Sequence, residues 1–250
     1  MNFVGIIPAR YESTRFPGKP LVDIAGKSMI QRVYEQSLKS FDQVYVATDD
    51  LRIEKAVINF GGKVVMTSPN HKSGTDRCNE ALDKIHKCQP IKFDVVINIQ
   101  GDEPFIHPEQ LNLLKSCFSD VFTEIATLVS PIESTEELFN PNNPKVTLNS
   151  KKEAIYFSRS PIPYVRNHEQ SKWITKNQFF KHIGIYGYRQ DILKKICELK
   201  QSSLEIAESL EQLRWIENGL KIRVEQTNYQ SIPIDTPEDL QKTLNQILNK

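Results

Sequence analysis

The sequence predicts an α/β protein: a mixed, largely parallel sheet flanked by helices, with a smaller antiparallel subdomain. Three observations predict it. Strand-like and helix-like segments alternate through the first half, the pattern of a parallel sheet with crossover helices on its faces. The opening strand candidate, Phe3 to Ile7, is an unbroken apolar run, as a strand covered on both faces requires. After about residue 131 the segments stay strand-like with no regular helix between them, which marks an inserted or antiparallel region over about 131–190 within a single domain of 1–250.

The elements follow in order. Ser28 to Lys39 carries Ile30, Val33, Tyr34 and Leu38 on one face at helical spacing. Val44 to Ala47 reads as a second strand, closed by Thr48-Asp49-Asp50. Ile53 to Phe60 is helical and stops at Gly61-Gly62, a helix-end signal because glycine tolerates the left-handed conformation there. Val64 to Met66 is a third strand, Thr75 to Lys87 a helix, and Val95 to Ile99 a fourth strand running into Gln100-Gly101-Asp102-Glu103-Pro104. Pro108 to Phe118 is a helix with proline near its start, and Ile125 to Val129 a further strand. In the second half, segments around Val146, from Ala154 to Phe157 and from His182 to Tyr188 read as strands. One helix from about Leu204 to Glu217 follows, then a strand over 221–225, then a last helix from Pro237 to Leu248 with Thr236 as its cap.

Composition narrows the function classes. With 32 basic and 31 acidic residues the net charge is +1, so no general field draws the chain to nucleic acid or to an anionic membrane, and any anion site must come from a local cluster. No apolar run reaches the roughly 18 residues of a membrane span. The first apolar run is too short for a signal-peptide core and has no basic lead, which points to the cytoplasm. Cys78, Cys88, Cys117 and Cys197 match neither a zinc spacing nor a disulfide framework and read as reduced thiols.

In such sheets ligands bind beyond the carboxyl ends of the strands, so the loops after Ile7, near Asp49 and after Ile99 are where chemistry belongs. The first of them, Pro8 to Pro20, sets Arg10, Arg15 and Lys19 around Gly18. Fixed cations and backbone donors are what a triphosphate needs, arginine gripping oxygens bidentately and lysine acting as a point charge. A solvated basic loop is the plainer reading of three scattered cations. The loop is neither a Walker sequence nor GxGxxG, which argues against a dinucleotide cofactor.

Asp102, at the end of a buried strand, suits a hard cation such as Mg²⁺, which takes one or two carboxylates with phosphate oxygens. Gly101 lets the backbone approach a ligand, although the same turn also serves to start the helix at Pro108. Asp235 opens Asp-Thr-Pro-Glu-Asp, which reads equally as a helix N-terminus or as the source of a second metal carboxylate facing Asp102. In the second half, Arg159, Arg166 and His182 are cations for the carboxylate of an acidic sugar, and Glu211 with Gln212 partners for its hydroxyls. Alone, the histidine reads as structural and the Glu-Gln pair as a solvated helix face.

The ordered segments IIPARYESTRFPGKPL (6–21), VATDD (46–50), HKSGTDR (71–77), NIQGDEP (98–104), FNPNNPKV (139–146), YFSR (156–159), HIGIYGYR (182–189), LEQLR (210–214) and IDTPEDL (234–240) together resemble the 3-deoxy-manno-octulosonate cytidylyltransferase family, the CMP-Kdo synthetases. The resemblance runs through nearly the whole chain. It implies a nucleotide-diphospho-sugar transferase-like fold, Mg²⁺ as cofactor, a homodimer whose inserted region binds the sugar and forms the dimer contact, and the reaction CTP + Kdo → CMP-Kdo + diphosphate. It implies that Arg10, Arg15 and Lys19 bind the CTP phosphates, that Ser73 and Arg77 lie by the nucleotide, and that Asp102 and Asp235 hold magnesium. Arg10, Lys19, Asp102 and Asp235 would carry catalysis. Gln100, Arg159, Arg166, His182, Tyr186, Glu211 and Gln212 would contact the Kdo. Two positions depart from the family pattern: Val165, where a charged residue is common, and Ser203, where proline is usual.

Three other readings compete. Sialic acid cytidylyltransferases resemble the chain in its first loop but lack the HIGIYGYR and LEQLR pattern. Sugar-1-phosphate nucleotidyltransferases open with a glycine-rich GxGxRLxP that is absent here. A non-catalytic nucleotide-binding regulator on the same fold would have no need of Lys19, Asp102 and Asp235 together.

Overall fold

In a computed structural model the protein is described over residues 1–12, 16–229 and 233–248. It divides into two compact units, Met1–Asn112 with Ser231–Lys250, and Leu113–Gln230. Arg15 lies outside the described residues.

The first unit carries β1 (Phe3–Ala9), the two-residue strands β2 (Asp23–Ile24) and β3 (Lys27–Ser28), α1 (Met29–Ser37), β4 (Val44–Thr48), α2 (Leu51–Asn59), β5 (Val64–Met66), α3 (Gly74–Cys88), β6 (Val95–Asn98) and the start of α4 (Pro108–Ser116). β1 pairs in parallel with β4 and β6, and β4 with β5, giving the order β6-β1-β4-β5. Val4, Ile6 and Ile7 of β1 are fully buried, as a central parallel strand demands. The helices start where the sequence supplies a side-chain acceptor. Ser28 caps α1 by accepting from the Gln31 N–H, Asp50 caps α2 through Arg52 N–H at 2.8 Å, and Ser73 caps α3 through Asp76 N–H at 3.1 Å. Each cap stabilises its helix by roughly 1 kcal/mol. The caps of α2 and α3 also fall just past the ends of β4 and β5, so polar groups gather at that edge of the sheet.

The second unit carries β7 (Ile125–Pro131), α5 (Thr135–Phe139), β8 (Lys145–Leu148), β9 (Ala154–Ser158), α6 (Trp173–Lys176), β10 (Phe180–Arg189), α7 (Gln190–Cys197), α8 (Ser203–Glu208), α9 (Gln212–Glu217) and β11 (Ile222–Gln226). β10 runs antiparallel to β7 and β8, β8 antiparallel to β9, and β11 parallel to β7. The strand pattern is therefore mixed, with parallel pairing throughout the main sheet of the first unit and mostly antiparallel pairing in the second. The region about 131–190 set apart in the sequence falls inside the second unit, which starts before it and ends after it.

Three details differ from the sequence reading. The run from about 131 to 190 does contain helices, the short α5 and α6; α5 is capped by Ser134 and seats Leu138 in a cluster with Ile132, Trp173 and Phe179. Val165, one of the two departures from the family pattern, packs on that same cluster, which gives an apolar side chain a place there. α7, unread in the sequence, buries Ile192, Leu193 and Ile196 on one face. The helix expected from Leu204 to Glu217 is two helices, α8 and α9, broken at Ser209 in the left-handed conformation (φ 52°). No glycine marks the break. It is held instead by Arg159, whose Nε and Nη2 donate to the Glu208 and Ser209 carbonyls at 2.7 and 3.3 Å.

The chain returns to the first unit through α10 (Pro237–Leu248). Ile234 packs with Ile24 and Met29, and Leu240 and Leu244 of α10 lie against the same cluster with Phe16 and Phe105. Thr236 caps α10 as expected, its hydroxyl accepting from Asp239 N–H at 3.2 Å. The four cysteines are free thiols. Among the described residues no helix is long and apolar enough to cross a membrane.

Candidate active site

Lys19, Asp102 and Asp235 meet at one point in the first unit. Lys19 Nζ lies 2.8 Å from Asp102 Oδ2 and 3.0 Å from Asp235 Oδ1. Three local devices bring them there. Gly18 stands in the left-handed conformation (φ 74°) at the start of the 3₁₀ turn Lys19–Leu21, and a Cβ on it would sit 3.2 Å from the Tyr11 ring. Gly101, just before Asp102, lets the strand end pass the Pro8 carbonyl, which a Cβ would approach to 3.1 Å. Ile234 N–H donates to the Asp102 carbonyl at 3.0 Å, tying the segment before α10 to the end of β6. Asp235 thus heads a capped helix and also faces Asp102 across the Lys19 ammonium.

The Lys19 side chain is 13% exposed. Burial works against its charge, but Asp102 first and Asp235 second outweigh that and hold the ammonium above the ordinary lysine range. Lys19 stays charged, and the two carboxylates are aimed at a single position of positive charge. Among the described residues no group of three or more His, Cys, Asp or Glu side chains is placed to hold a metal ion, so a cation here would have two carboxylates from the protein.

Arg10 leaves the end of β1 and donates through Nη2 to the His71 carbonyl, in the loop before α3. Arg77 is fully buried on α3. Its Nη1 donates to Thr67 Oγ1 at 2.6 Å and lies 3.0 Å from Asp49 Oδ1, while Nε and Nη2 have no partner among the described residues. Burial depresses its pKa while Asp49 supports the charge, so two N–H donors of a cation stand unused inside the protein. Ser73 caps α3 and donates back to Asp76 Oδ2 at 3.0 Å. Gln100 is half-buried just before Gly101. The first unit therefore brings Arg10, Lys19, Ser73, Arg77, Gln100, Asp102 and Asp235 to the loops at the carboxyl ends of its strands.

The other expected residues lie in the second unit. Beside Thr127, β10 bulges: Ile183 pairs with Leu128 and Tyr186 with Thr127, so two extra residues enter and the alternation of faces is kept. His182, Tyr186 and Tyr188 then share a face, with rings of His182 and Tyr186 at 5.1 Å and Trp215 of α9 edge-on to both tyrosines. Thr127 Oγ1 lies 2.8 Å from the Ile185 carbonyl and 3.0 Å from His182 Nε2. With its one proton on that carbonyl, the hydroxyl accepts from Nε2–H, which assigns Nδ1 as an acceptor.

The expectation of His182 as a cation is corrected here. The side chain keeps some exposure, yet desolvation pushes the imidazole down to about 3, so it is neutral near pH 7 and offers a hydrogen bond instead of a charge. Tyr186, its pKa raised well above the ordinary value by burial and then by Glu211, keeps its proton, and its buried hydroxyl has no partner among the described residues. Gln212 Nε2 is likewise buried without a partner among the described residues, and Glu211 Oε1 accepts from Arg214 at 2.8 Å. Arg159 is occupied by carbonyls, with Nη1 on Pro141 at 2.9 Å besides its bonds at the α8–α9 break, while Arg166 is exposed.

Sequence reasoning missed Glu208, His71, Glu80 and Thr127. Glu208 accepts from Ser158 Oγ and Arg159 N–H, at 2.6 and 2.8 Å, and holds the YFSR segment against α8. No spacing announces such a contact, because it joins residues 49 and 50 positions apart.

Comparison with known proteins gives the chain a family. Residues 4–222 match the family model described as cytidylyltransferase. The 3-deoxy-manno-octulosonate cytidylyltransferase of Parabacteroides distasonis is 59% identical over 100% of both chains, and that of Thermodesulfovibrio yellowstonii 51% identical over 96% of each. Among solved structures, CMP:2-keto-3-deoxy-manno-octonic acid synthetase complexed with CTP superposes with a TM-score of 0.90 at 44% identity, covering 100% of this chain and 99% of that one. The 4-diphosphocytidyl-2C-methyl-D-erythritol synthase of Anaerococcus prevotii, at 10% identity and a TM-score of 0.61 over 100% of this chain and 99% of that one, shares the fold. The chain is an enzyme of the nucleotidyltransferase fold, and it belongs to the 3-deoxy-manno-octulosonate cytidylyltransferase family.

Proposed function

We propose that the chain activates Kdo: the anomeric hydroxyl oxygen attacks the α-phosphorus of CTP, the bond from that phosphorus to the oxygen bridging to the β-phosphate breaks in line, and diphosphate leaves as the hydroxyl proton passes to solvent. The observation that carries this reading is the junction of Lys19, Asp102 and Asp235 at the strand ends, the charge arrangement a nucleoside triphosphate needs. The full-length identity to curated relatives of that activity supports the choice of sugar.

In this reading catalysis is positioning plus charge neutralisation. Arg10, Arg15 and Lys19 hold the phosphates. Ser73 and Arg77 lie by the nucleotide, and the two idle N–H groups of Arg77 fit an acceptor on it. Asp102 and Asp235 fit magnesium, since both carboxylates already converge on one positive charge and a hard cation completes its shell with phosphate oxygens and water. When bound, the ion supplies charge neutralisation on the phosphate oxygens.

Gln100, Arg159, Arg166, His182, Tyr186, Glu211 and Gln212 contact the sugar. Arg166 meets its carboxylate, neutral His182 accepts from a hydroxyl through Nδ1, and the unpartnered Tyr186 hydroxyl and Gln212 amide donate to its oxygens. The region about 131–190 contributes to sugar binding and to a homodimer, and the enzyme works in the cytoplasm.

The test is diphosphate release from purified protein with CTP and Mg²⁺, with Kdo present or replaced by N-acetylneuraminic acid. Release with Kdo alone is expected. Release with the sialic acid alone overturns the sugar assignment and leaves cytidylyl transfer. Silence with both, from folded protein that binds CTP, favours a regulator.

A further inference from the structure

The loop from Ser68 to Ser73 joins β5 to α3 and carries the His71 carbonyl on which Arg10 rests. This loop is clamped from the helix by one side chain. Glu80, on the second turn of α3, accepts from Ser68 N–H at 2.9 Å and pairs with His71 Nε2 through the same oxygen. Its other oxygen lies 2.8 Å from Lys84 Nζ, one turn on, and Lys84 also donates to the Met66 carbonyl at 2.7 Å. Strand end, loop and helix are thus fastened at a single carboxylate. Burial opposes its charge, but Lys84, the Ser68 N–H and His71 outweigh it and bring the Glu80 carboxyl down to about 2. The clamp is therefore ionised near neutral pH. Neither His71 nor Glu80 has a part in the reaction described above.

We propose that Glu80 is a positioning residue for the nucleotide: through Ser68 and His71 it sets the loop whose carbonyl orients the Arg10 guanidinium. The route is short and physical. Glu80 fixes Ser68 and His71, His71 presents its carbonyl, and that carbonyl takes one N–H of Arg10, leaving the rest of the fork to a phosphate. An arginine without such an anchor samples many rotamers and must be ordered when the ligand binds. The inference rests on Arg10 as a contact of the CTP phosphates.

The experiment is a steady-state double-mutant cycle with Glu80→Ala, Arg10→Met and the pair, backed by calorimetric CTP binding and by circular dichroism. Glu80→Ala is expected to raise the KM for CTP about tenfold, to lower kcat by less than Arg10→Met does, and to leave the KM for Kdo within about twofold, the pattern of a charge misplaced and not removed. Glu80→Gln, which keeps an acceptor oxygen for the Ser68 N–H, recovers most of the loss. In the Arg10→Met background Glu80→Ala adds little, because the group it positions is gone. Additive effects of the two substitutions, or an unmoved KM for CTP in folded Glu80→Ala, overturn the positioning role. An Arg10→Met enzyme with unweakened CTP binding overturns instead the nucleotide site itself. Should Glu80→Ala not fold, His71→Ala takes its place in the same cycle, with the same non-additivity expected.

Discussion

Lys19 Nζ stands 3.0 Å from Asp235 Oδ1, although 216 positions separate the two residues in the chain. The contact decides what the junction is. Two carboxylates converging on one point repel each other unless a cation lies between them, and here the protein supplies one. Removing it should affect turnover more than folding. Lys19→Met is expected to lower kcat by about 100-fold or more, as the loss of a preorganised charge at a reacting phosphate does, while circular dichroism stays that of the parent. Diphosphate release at saturating CTP measures it, and a kcat within a few-fold of the parent would take Lys19 out of the catalytic group.

Asp102→Asn and Asp235→Asn each keep the shape of the side chain and remove its charge. Turnover is expected to drop by about 100–1000-fold in either, with the amount of Mg²⁺ needed for half activity rising. The magnesium titration separates a metal ligand from a residue that merely holds Lys19. Loss of turnover with no change in the titration would assign the second role.

His182 gives a pH dependence with a definite sign. Its folded value of about 3 lies below the ordinary 6.5, so the unfolded chain takes up a proton that the folded protein refuses. This contribution to stability is complete above pH 6.5 and is lost progressively as the pH falls from there toward 3. Urea midpoints of the parent and of His182→Asn, compared between pH 7 and pH 5, should show the parent falling more steeply. Parallel curves would mean that the imidazole is charged in the folded state.

Arg159 is expected to report on stability as well as on the sugar. Arg159→Ala leaves the carbonyls of Pro141, Glu208 and Ser209 short of a donor, a loss on the order of 1–3 kcal/mol. The thermal midpoint should drop even without ligands, whereas Arg166→Ala, which removes an exposed side chain, should leave it nearly in place.

The thiols divide sharply. Burial pushes Cys117 up to about 12, Cys78 is fully buried, and Cys88 is exposed near the end of α3. A thiol reagent under native conditions should modify Cys88 first and leave Cys78 and Cys117 intact until the protein unfolds, which peptide mapping will read directly.

Much of the fold was legible because its signals are local. Thr236 caps the last helix where expected, Val4 to Ile7 form the buried run of the opening strand, and Gly61 follows the end of α2 with a positive φ. The break between α8 and α9 was not legible, because its cause is an arginine about fifty residues upstream, just past β9, and no residue at Ser209 itself forces the left-handed turn. The candidate site divides the same way. Lys19 and Asp102 announced themselves by following strand ends. Asp235 carried a helix-start signal and a site carboxylate reading side by side, and only the fold brings it to Lys19. The charge of His182 was misread because composition around a histidine in sequence says nothing of the Thr127 hydroxyl or of the rings that desolvate it. Glu80 and His71 were invisible for a related reason: both lie in or beside a recognised segment, but their link runs through space from a helix to its own preceding loop.

The first unit is assembled from two separate stretches of chain, the later of which contributes Asp235. On the ribosome, β1, β4, β5 and β6 emerge and can pair long before that aspartate has been made. A nascent chain at that stage has Lys19 and Asp102 but not yet Asp235. Translation must carry on through the whole second unit before the pair closes. Fragments released early lack Asp235 and so carry only part of the charge set that meets at Lys19.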